Sequence, residues 1–315
     1  MVIKITGVLL LILTTIVSAR FNIDCEHDPQ LYPNWVDIQP CYEHPIHDVY
    51  IFGDSYSDNG EPILDQQYYT NHYFPDRYSN GPMCLEYIAK MLGSNLFNYA
   101  HSGATVDNSI VRRSTLDIHQ QLELFRQSGG PQKPSDSTLY TFWIGTNDVE
   151  ETFKNQATES LRNKDIDDTI LSLYEALETL YHMPSSSSSF AARQILIMGL
   201  IPVDHMPIIS SMIRYESQRQ AMTDLVARYN NGLKAMVEKF NHQYGDATVE
   251  YYDAHWAASK LFNGNSKYFT SDSVPCVKDH VICNDENRHI WWDDYHPTTS
   301  VSYALASDMY HTLFA

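Results

Sequence analysis

The sequence predicts an α/β fold in which helices cover a central parallel sheet. Short runs rich in β-branched and aromatic residues alternate with segments of helical periodicity, and this alternation is typical of parallel sheets. The chain has 315 residues, which is long enough for one large α/β domain whose core needs neither a metal nor a disulfide. We therefore expect a single domain built on a sheet of about five strands.

Residues 1–19 have the pattern of a secretory signal. Lys4 precedes a run of apolar residues, and small residues end the segment at Ala19, as signal peptidase requires. The run is shorter than the ~20 apolar residues that span a bilayer, and no other segment approaches that length. We expect a secreted, extracellular protein without a stable membrane anchor, in which residues 20–315 form the domain.

The charge balance restricts the partners that this chain can bind. Its 21 Lys and Arg residues face 39 Asp and Glu residues, and the formal net charge is −18. Nucleic acids and anionic membrane surfaces are poor partners for such a protein, because like charges repel. A neutral small molecule or oligosaccharide is a better candidate ligand.

Five short runs predict the strands of the sheet. Each is rich in residues that favour strands and is bounded by residues typical of turns. The serine-rich stretch 184–189 resembles a linker, but the strand pattern continues directly after it, so we interpret it as a surface loop. The predicted strands are residues 49–52, 96–99, 138–143, 194–198 and 248–251.

Apolar residues at helical spacing predict two long core helices. The first begins near Asp165 and the second ends near Gly245, and each has one apolar stripe that faces the core. The stripes are Ile166, Ile170, Leu173, Leu177 and Leu180 in the first helix and Leu225, Tyr229, Met236 and Phe240 in the second.

The five cysteines suggest two disulfides and one free thiol. In a secreted chain, their spacing favours the pairs Cys25–Cys41 and Cys276–Cys283. Cys84 shares a predicted helical face with apolar residues, so we expect an inert buried thiol there. The chain contains neither a Cys-x-x-Cys nor a His-Glu-x-x-His motif, and we predict no metal and no cofactor.

Polar clusters follow three of the predicted strands, and a fourth cluster lies near the end of the chain. In an open parallel sheet, ligands bind beyond the carboxyl ends of the strands, so these clusters should lie close together. They are Gly53-Asp54-Ser55, the segment 98–104, Gly145-Thr146-Asn147-Asp148 and the segment 293–297.

These four clusters resemble, in order, the signature blocks of the SGNH hydrolases, which are also called GDSL lipases and esterases. The resemblance implies a three-layer α/β/α, flavodoxin-like fold and a serine esterase activity. It also implies a nucleophilic Ser55, an Asp293–His296 pair, and an oxyanion hole built from Ser55, Gly103 and Asn147. No metal or cofactor takes part in that chemistry.

The residue types fit the chemistry that the resemblance implies. A serine hydroxyl is a weak nucleophile until an imidazole takes its proton, so Ser55 requires His296 within hydrogen-bond reach. Asp293 can hold the other ring nitrogen from the same loop. The oxyanion that forms on an attacked ester would then accept bonds from the Ser55 and Gly103 backbone N–H groups and the Asn147 amide.

Each block also has a structural interpretation. Gly103 can provide a tight turn, and Asn147 or Asp148 can cap the next helix. Asp293 and its neighbour Asp294 can be solvated loop carboxylates. Asp54, Asp204 and His205 are expected to be structural. Asp58 and Asn59 shape either the pocket mouth or only the loop. His101 either lines the site or lies in a surface turn.

The substrate is indicated mainly by resemblance. The stretch Phe142-Trp-Ile-Gly-Thr-Asn-Asp148 looks closest to fungal esterases of carbohydrate esterase family sixteen, which implies acetyl or other short-chain esters on plant cell-wall carbohydrate. The alternatives are a lipase or phospholipase for longer acyl chains and a catalytically silent carbohydrate-binding protein. Aromatic residues near the predicted site loops suit either sugar stacking or ordinary packing. They are Tyr68, Tyr69, Tyr73, Phe74, Trp256, Trp291 and Trp292.

Overall fold

The computed structural model describes residues 44–60, 77–185, 187, 190–262, 269, 274–279 and 281–315. The proposed signal, Cys25, Cys41 and the aromatic residues of the segment 61–76 lie outside this part of the chain. Among the described residues, no helix is both long enough and apolar enough to cross a membrane.

A five-stranded parallel sheet forms the centre of the molecule. The strands are β1 (Asp48–Gly53), β2 (Asn95–Asn98), β3 (Thr138–Trp143), β4 (Gln194–Met198) and β5 (Thr248–Tyr252). Their order across the sheet is β2-β1-β3-β4-β5, and every pair is parallel. The predicted parallel sheet is confirmed, and each strand agrees with the sequence prediction to within about one residue at either end.

The sheet is covered by helices on both faces, as the predicted three-layer fold requires. The helices are α1 (Cys84–Leu92), α2 (Ile118–Gln127), α3 (Thr146–Asn155), α4 (Glu159–Tyr181), α5 (Pro207–Met212), α6 (Glu216–Gln243), α7 (Ala254–Phe262) and α8 (Thr299–Leu313). Helices α1, α7 and α8 pack together, while α2, α3, α4 and α6 form the second group. A parallel sheet is stable only with both faces covered, which explains the apolar strands.

The central strands β1 and β3 are the most deeply buried. All six residues of each are buried, whereas the edge strand β2 is partly exposed. Aromatic rings stack across the strands, with Tyr50 and Tyr140 centroids 5.3 Å apart and Phe52 and Phe142 centroids 5.0 Å apart. The carboxyl ends of β1 and β3 therefore have rigid positions, and the polar clusters of the sequence follow both strands.

The first long helix, α4, begins earlier than predicted. It starts at Glu159 rather than near Asp165, and the Thr158 hydroxyl caps it by accepting a bond from Leu161 N at 3.3 Å. The first turn is largely exposed and its one apolar residue, Leu161, lies at the surface, so apolar periodicity gave no signal there. Ile170, which we placed on the buried stripe, is only partly buried.

Cys276 and Cys283 form a disulfide, as predicted. It closes a short hairpin of β6 (Val277–Lys278) and β7 (Val281–Ile282). Cys84 is a free and fully buried thiol. Burial raises the pKa of Cys84 far above its ordinary value, so this thiol is inert.

Candidate active site

The turn that follows β1 holds Ser55. Two backbone bonds close the turn on the Asp54 carbonyl oxygen, donated by Ser57 N at 3.0 Å and Asp58 N at 2.9 Å. The Asp54 carboxylate accepts a third bond, from Tyr56 N at 3.0 Å. Ser55 is only 9% exposed, and this turn fixes it at the carboxyl end of the central strand.

The end of β1 is fixed from the neighbouring elements as well. A side chain at Gly53 would overlap the carbonyl oxygen of Trp143 on β3, so the close approach of these strands requires glycine. Gln121 is fully buried on α2; it accepts a bond from Gly53 N at 2.9 Å and donates one to Gly53 O at 2.8 Å. Sequence analysis missed Gln121, because a polar residue within a helix carries no signal for a partner far along the chain.

His296 lies in a short loop before α8 that is closed by backbone pairing. Trp291 and Pro297 form an antiparallel β-bridge, and Trp292 N donates to His296 O at 2.7 Å. The disulfide hairpin packs behind this loop, since Val277 N donates to Trp292 O at 2.8 Å. The position of the imidazole therefore depends on several backbone bonds.

Ser55, His296 and Asp293 form a continuous chain of hydrogen bonds. The Ser55 Oγ lies 2.9 Å from His296 Nε2. The other ring nitrogen, Nδ1, lies 2.9 Å from each carboxylate oxygen of Asp293. In this geometry the imidazole can take the serine proton while the carboxylate holds its ring orientation and tautomer.

The Asp293 carboxylate is stabilised in its charged form. Burial alone would raise its pKa, but the charge and hydrogen bonds of His296 and the backbone N–H groups of Tyr295 and His296 hold the pKa below its ordinary value. Those two N–H groups donate to Oδ1 at 2.8 and 2.7 Å. Asp293 is therefore an anion beside the imidazole at neutral pH.

Two tyrosine rings contact the imidazole. Tyr78 stacks on His296 with centroids 4.9 Å apart and an interplanar angle of 28°, while Tyr56 makes an edge contact at 6.0 Å. The Tyr56 hydroxyl donates to Tyr295 O at 2.9 Å. Packing of this kind limits rotation of the imidazole ring.

Gly103 and Asn147 lie near Ser55 and line the same cavity. Gly103 has a φ of 77°, a left-handed conformation that glycine adopts without strain. Asn147 belongs to the first turn of α3, where its Nδ2 donates to Ala104 O at 2.8 Å. Neither Asn147 nor Asp148 caps α3, because Gly145 occupies the N-cap position and no side chain bonds there. The capping alternative is therefore wrong.

The sequence-predicted site residues meet at one cavity of about 130 Å³. Four of them line it directly, and Asp293 lies behind His296, so the structure brings all five together. The lining residues are Ser55, Tyr56, Ser102, Gly103, Thr146, Asn147, Glu150, Met206, Tyr295 and His296.

Two further carboxyl groups, each next in sequence to a residue that lines the cavity, are buried. Burial raises the pKa of Asp54 to about 7, although the Tyr56 N–H and the charge of His296 oppose the shift. Burial likewise raises the pKa of Asp148 to about 7; the Val106 N–H opposes this shift, and the charge of Asp54 adds to it. Val106 N donates to both Asp148 oxygens, at 3.1 and 3.3 Å. Each group titrates near neutral pH, unlike Asp293.

Several residues considered from the sequence have other roles. Asp294 is exposed, and its backbone carbonyl oxygen accepts a bond from Ile208 N at 3.0 Å. His101 contributes its backbone N–H to Gly53 O at 3.1 Å. Asp204 accepts a bond from the Thr223 hydroxyl at 3.3 Å, in keeping with the structural role that we expected.

The tandem tryptophans are unavailable for sugar stacking. Trp291 is fully buried and Trp292 is 1% exposed, because the backbone bridge turns this segment into the core. Trp256 is 58% exposed on α7, where the Lys260 ammonium lies 2.9 Å from its ring centroid. Of the two interpretations of Trp291 and Trp292, packing is therefore correct.

One cluster of potential metal ligands occurs among the described residues. It consists of Cys283, Asp285 and His289. The Cys283 sulfur is bonded to Cys276 and cannot act as a thiolate ligand, so the cluster does not have the donor set of a metal site.

Comparison with known proteins gives the family. The model of the GDSL-like lipase/acylhydrolase family matches residues 49–309. The chain belongs to this family. It is a carboxylic ester hydrolase, as the resemblance of the four polar clusters predicted.

The relatives include plant and fungal enzymes. A GDSL esterase/lipase of Arabidopsis thaliana is 22% identical over 82% of this chain and 84% of its own length. An acetylesterase of Thermothelomyces thermophilus is 25% identical over 67% of this chain and 66% of its own length. Among solved structures, an acetylxylan esterase from Geobacillus stearothermophilus is 15% identical, with a TM-score of 0.45, over 88% of this chain and 97% of its own.

The buried carboxyl of Asp148 should make stability depend on pH. Its pKa is raised on folding, so between about pH 4 and 7 the folded protein binds more protons than the unfolded chain, and stability falls as pH rises. Asp148→Asn removes this contribution. When the pH rises from 5 to 8, the original protein should lose about 2 kcal/mol more of its unfolding free energy than the variant does.

Urea unfolding at both pH values measures this difference. Asp224→Asn, at an exposed position of α6, is the matched control and should leave the pH dependence unchanged. An Asp148→Asn variant whose stability follows that of the original protein at both pH values contradicts the assignment of a raised pKa.

Proposed function

We propose that this protein is a secreted serine esterase that hydrolyses acetyl or other short-chain esters on plant cell-wall carbohydrate. Ser55, His296 and Asp293 are the catalytic residues in this proposal. The observation that carries it is the unbroken hydrogen-bond chain from the Ser55 hydroxyl through His296 to Asp293. The proposed enzyme is a single domain over residues 20–315.

The reaction proceeds in two halves. The Ser55 Oγ attacks the ester carbonyl carbon while its proton moves to His296 Nε2. The tetrahedral intermediate collapses, the alcohol leaves with that proton, and an acyl group remains on Ser55. Water then attacks the acyl carbon as His296 takes a proton, and collapse of the second intermediate releases the acid and returns the proton to Ser55.

The oxyanion is stabilised by three donors in this proposal. They are the backbone N–H groups of Ser55 and Gly103 and the amide of Asn147. One Asn147 N–H is bonded to Ala104 O, which orients the amide and leaves its second N–H for the substrate. A donor fixed in advance needs no reorganisation during the reaction, and this is the main source of its effect.

The cavity and its walls support a short acyl group. Pockets for drug-sized ligands occupy roughly 300–1,000 Å³, whereas this cavity measures about 130 Å³. Charged groups flank one wall, since the lining residue Glu150 bonds Lys154 at 2.6 Å and lies 3.7 Å from Arg113. Such a wall suits a hydroxylated alcohol better than a long hydrocarbon chain. A fungal acetylesterase among the relatives agrees with this proposal.

Two features support secretion. The N-terminal segment has the composition of a signal, and Cys276 is paired with Cys283. Structural disulfides persist mainly in oxidising compartments outside the cytosol. The charge of −18 also disfavours anionic membrane surfaces as a working environment.

Removing the nucleophile should abolish turnover. Ser55→Ala is expected to lower kcat on p-nitrophenyl acetate by about 10⁴-fold or more, because no other hydroxyl is bonded to His296 in the described structure. Ser57→Ala is the matched control, since it removes a buried hydroxyl from the same turn and should retain activity. Steady-state kinetics on both variants, with folding checked by circular dichroism, measure the contrast. Equal activity of the two variants would refute the proposed nucleophile.

Asn147 should affect transition-state stabilisation rather than substrate binding. Asn147→Ala is expected to reduce kcat by about 10²–10³-fold with little change in KM, as found for the loss of one oxyanion donor. Kinetics on p-nitrophenyl acetate separate the two parameters. A raised KM with an unchanged kcat would instead make Asn147 a ground-state binding residue.

Activity should fall as the acyl chain lengthens. The cavity predicts the highest kcat/KM for acetate and a decrease of at least about tenfold by octanoate, because each added methylene must find room in a cavity of about 130 Å³. A panel of p-nitrophenyl esters from acetate to palmitate, together with acetylated xylooligosaccharides, measures the preference. Increasing activity toward palmitate would favour the lipase alternative.

A further inference from the structure

Asp58 joins the turn that carries Ser55 to the loop that carries Gly103. It is 5% exposed and uses both carboxylate oxygens for backbone bonds. Oδ1 accepts from Gly60 N at 3.0 Å, and Oδ2 accepts from Ser102 N at 2.7 Å. The second bond spans 44 positions of the chain and reaches the residue directly before Gly103.

Asn98 makes a second connection between the same two segments. Its Nδ2 donates to Ser57 O at 2.6 Å and to Asn59 Oδ1 at 2.8 Å, and its Oδ1 accepts from Ala100 N at 2.9 Å. Asn98 ends β2, whereas Ser57 and Asn59 follow β1. Asp58 and Asn98 therefore hold the two loops at a fixed separation on the cavity side of the sheet.

This separation matters for the proposed chemistry. The Ser55 and Gly103 N–H groups can stabilise one oxyanion only if both point to the same position, and each comes from a different loop. A misplacement of about 1 Å in a catalytic group can cost 10²-fold in rate. The Ser102 N–H bond fixes the His101–Ser102 peptide, one peptide before Gly103, whose backbone as a glycine could otherwise adopt other conformations.

We propose that Asp58 is a positioning residue that sets the oxyanion-binding geometry by fixing the Ser102–Gly103 backbone against the Ser55 turn. The inference rests on the proposed serine esterase mechanism. Asp58 itself does not touch the reacting atoms in this account. Its effect is transmitted through the Ser102 N–H group. Asn98 also holds the two loops together, through its bonds to Ser57 O and Asn59 Oδ1.

Asp58→Asn is the variant that tests this proposal. An asparagine keeps the size of the side chain but can accept only one of the two backbone bonds, and its amide would face the other N–H donor. We expect kcat on p-nitrophenyl acetate to fall by about 10–100-fold while KM stays within about twofold. The inhibition constant of ethylboronic acid, which forms a tetrahedral adduct on a reactive serine, should rise by the same factor as kcat/KM falls.

Asp117→Asn is the matched control. Asp117 is also a buried carboxylate with two backbone bonds, accepting from Gln120 N at 2.9 Å and from Asn108 N at 3.1 Å. The same chemical change there should lower stability by a comparable amount but leave kcat within about twofold of the original value. The contrast separates a positioning effect from a general loss of stability.

Asn98→Ala is a second variant that removes the other connection between the two loops, and it serves if Asp58→Asn does not fold. Asn98→Ala should also lower kcat with little change in KM. Folded variants at both positions with kcat within about twofold of the original protein, or with only KM raised, would overturn the proposal. Ser55→Ala, measured in parallel, distinguishes failure of the proposed serine esterase mechanism from failure of the proposed role of Asp58. An active Ser55→Ala refutes the mechanism, whereas an inactive Ser55→Ala beside a fully active Asp58→Asn refutes only the role of Asp58.

Discussion

The hydrogen bond between Ser55 and His296 joins residues that are 241 positions apart. It forms only because the fold brings the end of β1 and the loop before α8 together. Ser55 follows the central strand β1, and His296 lies in the loop before the last helix. The fully buried strands fix the first residue, while the Trp291–Pro297 bridge and the disulfide hairpin fix the second. Because proton transfer tolerates only small errors in side-chain geometry, the segments that hold Ser55 and His296 must both be rigid.

The carboxyl groups around this bond illustrate how hydrogen-bond donors decide charge. Asp293 is largely buried, yet its pKa is lowered because His296 and two backbone N–H groups bond it. Asp54 and Asp148 are buried with fewer donors, and the pKa of each is raised to about 7. One residue type therefore provides a permanent anion beside the imidazole and two groups that titrate near neutral pH behind it.

The sequence predicted the sheet, the family and four of the residues that line the cavity, because these depend on local patterns: apolar strands, helical periodicity and short polar clusters after strands. It missed Gln121 and undervalued Asp58, because their partners lie far along the chain and no local pattern marks them. It also left the roles of Trp291 and Trp292 undecided, since adjacent aromatic residues look the same on a binding surface and in a core. Only the backbone pairing of the segment decides that they are buried. The aromatic residues of 61–76 lie outside the described residues, so their proposed role remains a prediction.

The central claim is that Ser55 carries the acyl group during turnover. The most direct measurement is mass spectrometry of the enzyme quenched in acid during turnover of p-nitrophenyl acetate, with the acetylated residue located by peptide mapping. We expect at most one acetyl group per chain, attached to Ser55, and it should disappear when the substrate is exhausted. An acetyl group found on another residue during turnover would contradict this role of Ser55. Inactivation by an organophosphonate inhibitor that does not label Ser55 would contradict it as well.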